Sequence, residues 1–266
     1  MSIMRRDLAV SAAVALAAGL PGRASLAQDG NDEHDDNAGE DRLARLPRDV
    51  LYIQSNNPNV GQNSISAYRR ARDGSLTPLR GSPYLTGGRG FFIRNSGPGP
   101  FDTDQEIILD RRRGIIYAVN SGSSSVAAMR VRDDGSLAPV AYSPFPIPGT
   151  NPVSVAVRRN TVVVLNVDAD PAQHVPGQHP GAIVADIYPL TGGLAALPAT
   201  AVNLPDGSQP TQVTTTNTGR FIFTCEFFGR TIRSFVEGPG RTLRELDKQT
   251  PPQQAGATAP PLPLGL

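Results

Sequence analysis

One phrase recurs along this chain. Asp73-Gly74-Ser75-Leu76-Thr77-Pro78-Leu79 runs into Gly81-Ser82-Pro83-Tyr84, and Asp134-Gly135-Ser136-Leu137-Ala138-Pro139-Val140 runs into Tyr142-Ser143-Pro144-Phe145. Weaker copies are Thr191-Gly192-Gly193-Leu194 and Pro239-Gly240-Arg241-Thr242-Leu243. The aligned leucines stand at 76, 137, 194 and 243, in steps of 61, 57 and 49 residues. A period of this length, with strand-like patterning between copies, means one supersecondary unit used several times. In all-β sequence that unit is a propeller blade.

Between the copies, short β-branched or aromatic runs are bounded by Gly, Asn, Asp and Pro, the mark of strands. One group is Leu51-Tyr52-Ile53 with Ser64–Tyr68. A second is Ile107–Leu109, Ile115–Val119 and Val126–Val131. A third is Val153–Val157, Val162–Leu165 and Ile183–Ile187, and a fourth is Gln212–Thr214, Arg220–Thr224 and Thr231–Phe235. Each Asp-Gly element follows the third strand of its group. Asp-Gly supplies turn residues that tolerate positive φ, and Leu restarts a buried strand. The fourth strand is expected to end at Ser-Pro plus an aromatic, because proline has no N–H to give and belongs at an outer edge. Group one lacks the opening strand that the other groups have. The fold expected is all-β, a partial propeller of about four four-stranded antiparallel blades.

The ends of the chain read differently. Met4-Arg5-Arg6-Asp7-Leu8 leads into an apolar run to Leu20, then Ala24-Ser25-Leu26-Ala27. Residues 1–27 therefore read as a signal peptide, sent by the twin-arginine or the Sec route to a periplasmic or extracellular location. Residues 28–47 form an acidic linker with almost no apolar residue, too polar to order itself. Calcium is the sharper reading of its carboxylates, but their spacing matches no EF-hand loop. The propeller is expected over 48–250. Residues 251–266 form a Pro-rich tail resembling the lead-in to a further blade, so the chain is expected to be a truncated product.

Residues 1–27 hold three arginines and one aspartate of the 25 basic and 24 acidic residues, so the remainder carries net charge −1. That balance does not suggest nucleic acid as a partner. No later segment is apolar for long enough to span a membrane. The lone Cys225 has no partner for an internal disulfide and reads as a small buried hydrophobe.

Several residues carry candidate chemistry. His174 and His179, with Asp168 and Asp170, lie in a long insertion between two strands. This donor set could hold a divalent metal, although the spacing fits no zinc motif; the alternative is a plain surface loop. No other cofactor is expected. Asn120 and Asn166 occupy equivalent blade positions, where Asn either caps the following turn or contacts a sugar-like ligand. Glu226 ends a strand near the mouth of the ring, with Arg230 beside it. It reads as a base or ligand contact, or else as a solvated or Arg230-paired carboxylate.

The strings [ILV]-Tyr-x-x-Asn, Ser-[IV]-x-x-[YM]-x-x-x-x-Asp-Gly-Ser-Leu-x-Pro and Ser-Pro-[YF] resemble the seven-bladed β-propeller lactonase family. That family includes propeller-type 6-phosphogluconolactonases and 3-carboxymuconate cyclases. The resemblance covers roughly residues 49–250 and is most specific over 64–84 and 115–145. It implies a full ring of about 330 to 350 residues, at about 45 to 50 per blade. It also implies hydrolysis of a sugar lactone or related cyclic ester, with Glu226 as the catalytic acidic residue and Arg230, Asn120 and Asn166 near the substrate. Where family members carry a Pro-His before a strand, this chain has Pro210-Thr211-Gln212. A non-catalytic propeller that binds a ligand or protein is the alternative. An open arc of blades is also expected to associate with itself through its uncovered faces.

Overall fold

A computed structural model describes residues 46–91, 105–168, 176–195, 201–253, 255–258, 260–263 and 265. The expected signal peptide and nearly all of the acidic linker lie outside these residues, as do Asp170 and His174.

Four antiparallel sheets follow one another along the chain. Blade one holds β1 (Val50–Gln54), β2 (Ser64–Arg70), β3 (Leu76–Pro78) and β4 (Tyr84–Leu85). Blade two holds β5 (Ile107–Asp110), β6 (Ile115–Asn120), β7 (Ser125–Val131), β8 (Leu137–Pro139) and β9 (Phe145–Pro146). Blade three holds β10 (Pro152–Arg158), β11 (Thr161–Asn166), β12 (Gly181–Asp186) and β13 (Val202–Asn203). Blade four holds β14 (Pro210–Thr215), β15 (Ile222–Glu226), β16 (Thr231–Glu237) and β17 (Leu243–Gln249). The partial propeller read from the repeat is what forms. Among the described residues blade one has no innermost strand: β1 pairs with β2 and corresponds to β6.

The repeated phrase has a local cause. The Asp73 carboxylate accepts from the Ser75 N–H at 2.9 Å and its hydroxyl at 2.7 Å, and Asp134 does the same for Ser136 at 2.9 and 2.6 Å. These hydrogen bonds hold both carboxyls below the usual carboxylate range. Gly135 sits at φ +85°, and a Cβ there would stand 2.8 Å from the Val50 side chain, so glycine is required twice over.

The second half of the phrase departs from expectation. The outer strand does not end at Ser-Pro. It breaks there and resumes, so β3 and β4 both pair with β2, and β8 and β9 both pair with β7. The break leaves an N–H of the inner neighbour without a backbone acceptor. The serine supplies one: Ala67 N–H donates to Ser82 Oγ and Ala128 N–H to Ser143 Oγ, each at 2.9 Å.

Three apolar clusters fill the three seams between four blades. Tyr52, Ile65, Ile116, Met129 and Leu137 pack between blades one and two; Tyr117, Val126, Val155, Val164 and Ile183 between two and three; Val163, Val184, Val213, Ile222 and Phe235 between three and four. Residues alternate along each strand, so one face serves each seam. Leu137 is buried as expected, but its counterpart Leu76 is 48% exposed, because its side of blade one meets no further blade among the described residues.

The tyrosines bind the repeat together across seams. Tyr52 Oη donates to Gly135 O at 2.7 Å, and Tyr117 Oη to Gly192 O at 2.8 Å. Each second-strand tyrosine thus clamps the glycine turn of the next blade. Val163 stands at the corresponding place in blade three. The seam to blade four is instead tied by ions: Arg158 to Glu237, and Arg241 to both Glu237 and Asp186.

Candidate functional site

The ends of β1, β6, β11 and β15 point the same way around the arc. The pattern places Ser55, Asn120, Asn166 and Glu226 in equivalent positions there. The four side chains are used in different ways.

Asn120 does not cap the turn after it. Its Oδ1 accepts from Asn63 Nδ2 at 2.8 Å and Thr86 Oγ1 at 2.7 Å, both from blade one. A Cβ on Gly88 would stand 2.4 Å from the Asn120 side chain, so backbone covers it. Fully buried and committed to the seam, Asn120 is a clamp between blades rather than a ligand contact. Asn166 has the matching glycine, Gly149, over it, and its Nδ2 donates to His179 O at 3.3 Å. Its Oδ1 is buried with no hydrogen-bond partner among the described residues.

Glu226 is completely buried. Its partner is Arg233, not the adjacent Arg230. Arg233 Nε donates to Glu226 Oε1, and Arg233 Nη1 donates to Glu245 Oε2 at 2.8 Å. Burial works against the charge on Arg233, yet the two carboxylates outweigh it and lift the guanidinium above its usual range. Gly229 lies over Glu226 so closely that a Cβ would stand 2.9 Å from Oε2. Arg230 points elsewhere, donating to Pro260 O of the tail. A sealed carboxylate held by a guanidinium is built to fix the β15–β16 hairpin. The Glu226 side chain is closed to solvent.

His179 has a different setting. It lies half-exposed before β12, and its Nδ1 is 2.7 Å from Asp206 Oδ1. The pairing of Gly181 with Asn203 brings the two loops together. A carboxylate beside Nδ1 favours the tautomer with the proton on Nδ1, which leaves Nε2 as the acceptor nitrogen. Around this pair lie buried polar atoms without a partner among the described residues: Asn166 Oδ1, Gln178 Oε1 and Ser208 Oγ. Ser208 also joins this region to Glu226, since Gly229 N–H donates to Ser208 O at 3.0 Å.

Of the expected metal donors, Asp168 accepts from Thr150 Oγ1, and His179 is committed to Asp206. No group of three or more His, Cys, Asp or Glu able to hold a metal occurs among the described residues. Cys225 is buried, as expected. Sequence reasoning missed Arg233 and Asp206. Both partners of each pair are on the page only once β15 is laid against β16 and β12 against β13.

The arrangement of blades matches known structures. A periplasmic gluconolactonase from Pseudomonas aeruginosa is 20% identical over 80% of this chain and 57% of its own, with a TM-score of 0.56. A candidate 6-phosphogluconolactonase from Bacteroides uniformis is 15% identical over 77% of this chain and 54% of its own, at 0.55. The fold is a β-propeller. A Lactobacillus plantarum protein shares this propeller at 14% identity, covering 79% of this chain and 55% of its own, at 0.56. The chain spans little more than half the length of these structures. No family model matches the propeller, and no curated protein does. Among the described residues no helix is long and apolar enough to cross a membrane.

Proposed function

We propose that this propeller is an exported hydrolase that opens a sugar lactone or a related cyclic ester. The His179–Asp206 pair carries the reading, because it supplies an oriented, solvent-reaching base on a lactonase-type scaffold. In this mechanism Asp206 holds the proton on Nδ1 of His179. Nε2 then takes a proton from a water, and the resulting hydroxide attacks the ester carbonyl. The ring C–O bond breaks, and the alkoxide released takes the proton back from His179. Glu226 acts beneath this layer, positioning the hairpin through Arg233. The export reading rests on the basic and apolar pattern of residues 1–27.

The test is hydrolysis of glucono-δ-lactone followed by pH-stat titration. His179→Ala is expected to lower the rate by about a hundredfold or more, the usual contribution of a general base. Asp206→Asn should lower it less. No turnover above buffer, or full activity in His179→Ala, would overturn the proposal.

A further inference from the structure

At the opposite end of the blades lies a second feature, independent of lactone hydrolysis. The end of β2 and the turns around it form a shallow, open cleft of about 760 Å³. Its lining includes Asp49, Arg69, Arg70, Arg72, Leu79 and Arg80. One of the four guanidiniums is spoken for: Arg69 Nη1 donates to Asp49 Oδ2 at 2.7 Å. That contact, the strongest influence on Asp49, holds its carboxyl below the usual range. Arg70, Arg72 and Arg80 are exposed and pair with no carboxylate among the described residues. The lining holds four arginines against one carboxylate, Asp49.

Three guanidiniums that form no ion pair among the described residues stand around one concavity, where they repel one another. A chain with near-balanced charge had no need to gather them there. Arginine presents a planar fork that meets an oxyanion through two parallel hydrogen bonds. We propose that this cleft binds a small, multiply charged oxyanion, a compound bearing at least two phosphate or carboxylate groups. Asp49 orients Arg69 at its edge, Arg70, Arg72 and Arg80 supply the charge, and Leu79 gives it an apolar wall.

Isothermal titration of the full chain at low salt tests this, with sodium pyrophosphate and sodium citrate in separate arms. One site per chain is expected, weakening as salt rises because exposed charges are screened. Tighter binding of pyrophosphate assigns a phosphate ligand, and tighter binding of citrate a carboxylate. The double substitution Arg70→Gln with Arg72→Gln should weaken binding at least tenfold, and Arg80→Gln should weaken it further. These side chains are exposed, so circular dichroism should match the parent. Arg220→Gln, on a turn at the same end of blade four, should bind normally. The proposal fails if neither anion binds, if the double variant binds as tightly as the parent, or if Arg220→Gln loses as much, which would mean diffuse charge.

Discussion

Tyr52 and Tyr117 show what a single side chain does in this propeller. Each buries a ring in a seam and ends on a carbonyl of the next blade. Burial comes first among the causes that push both phenols well above their ordinary range near 10. The consequence for stability has a definite sign. In the unfolded chain both phenols ionise as pH passes about 10, while in the folded chain they keep their protons. The unfolded state then binds fewer protons, so stability is intact below that pH and falls as pH rises above it. Urea unfolding at pH 8 and at pH 11 checks this, with a lower midpoint expected at pH 11. Tyr117→Phe should cost about 1 kcal/mol at pH 8 through the lost hydrogen bond, yet lose less between the two pH values than the parent does.

At the scale of the element, the outer strand decides how the blade is finished. Proline at 83 and 144 interrupts the pairing, and the serine before it repairs the gap by accepting from a buried strand N–H. Ser143→Ala would leave the Ala128 N–H, on a fully buried residue, without an acceptor. The expected cost is about 1–3 kcal/mol, read as a lower urea midpoint with unchanged slope, and Ser143→Thr should recover part of it. Most of this element was legible in the sequence. Asp-Gly-Ser acts within two residues of itself, and its spacing survives in the text, whereas the serine of Ser-Pro-aromatic reaches a strand 15 residues back and the leucine fills a seam with another blade. The candidate site was less legible. Asn120 read as a turn cap because its partners Asn63 and Thr86 belong to another blade. Glu226 sits beside Arg230 in the chain, but the Thr224–Arg233 pairing of the hairpin carries Arg233 to it instead. His179 and Asp206 are 27 residues apart and meet only through a two-residue strand, β13. Asp206 had a signal, since an acid just past β13 falls opposite the residue just before β12.

The four described blades form an arc, and each end of that arc presents a sheet face that no other described blade covers. Inside the seams the burial is complete, as the strands of blades two and three show. At the ends it is not. Leu51, Ile53 and Tyr68 are half-buried on the uncovered side of blade one, and Leu85 is 52% exposed. On blade four, Phe221, Phe223 and Ile232 are half-buried and Phe228 is 62% exposed. Covering a large apolar side chain is worth roughly 1.5–3 kcal/mol, so several on each end give a strong drive to find a cover. The two faces have the pleat and twist of faces that already stack in the seams, so a second copy of the chain can supply what each lacks. Light scattering at tens of micromolar is expected to return a mass above that of one chain. Ile53→Lys and Phe223→Lys together should return it to a single chain, because each places a charge where a neighbour would have to bury it. A parent protein that stays single at that concentration would show that these sheet faces tolerate water, and stacking between blades would then be less dominant in this fold than its seams imply.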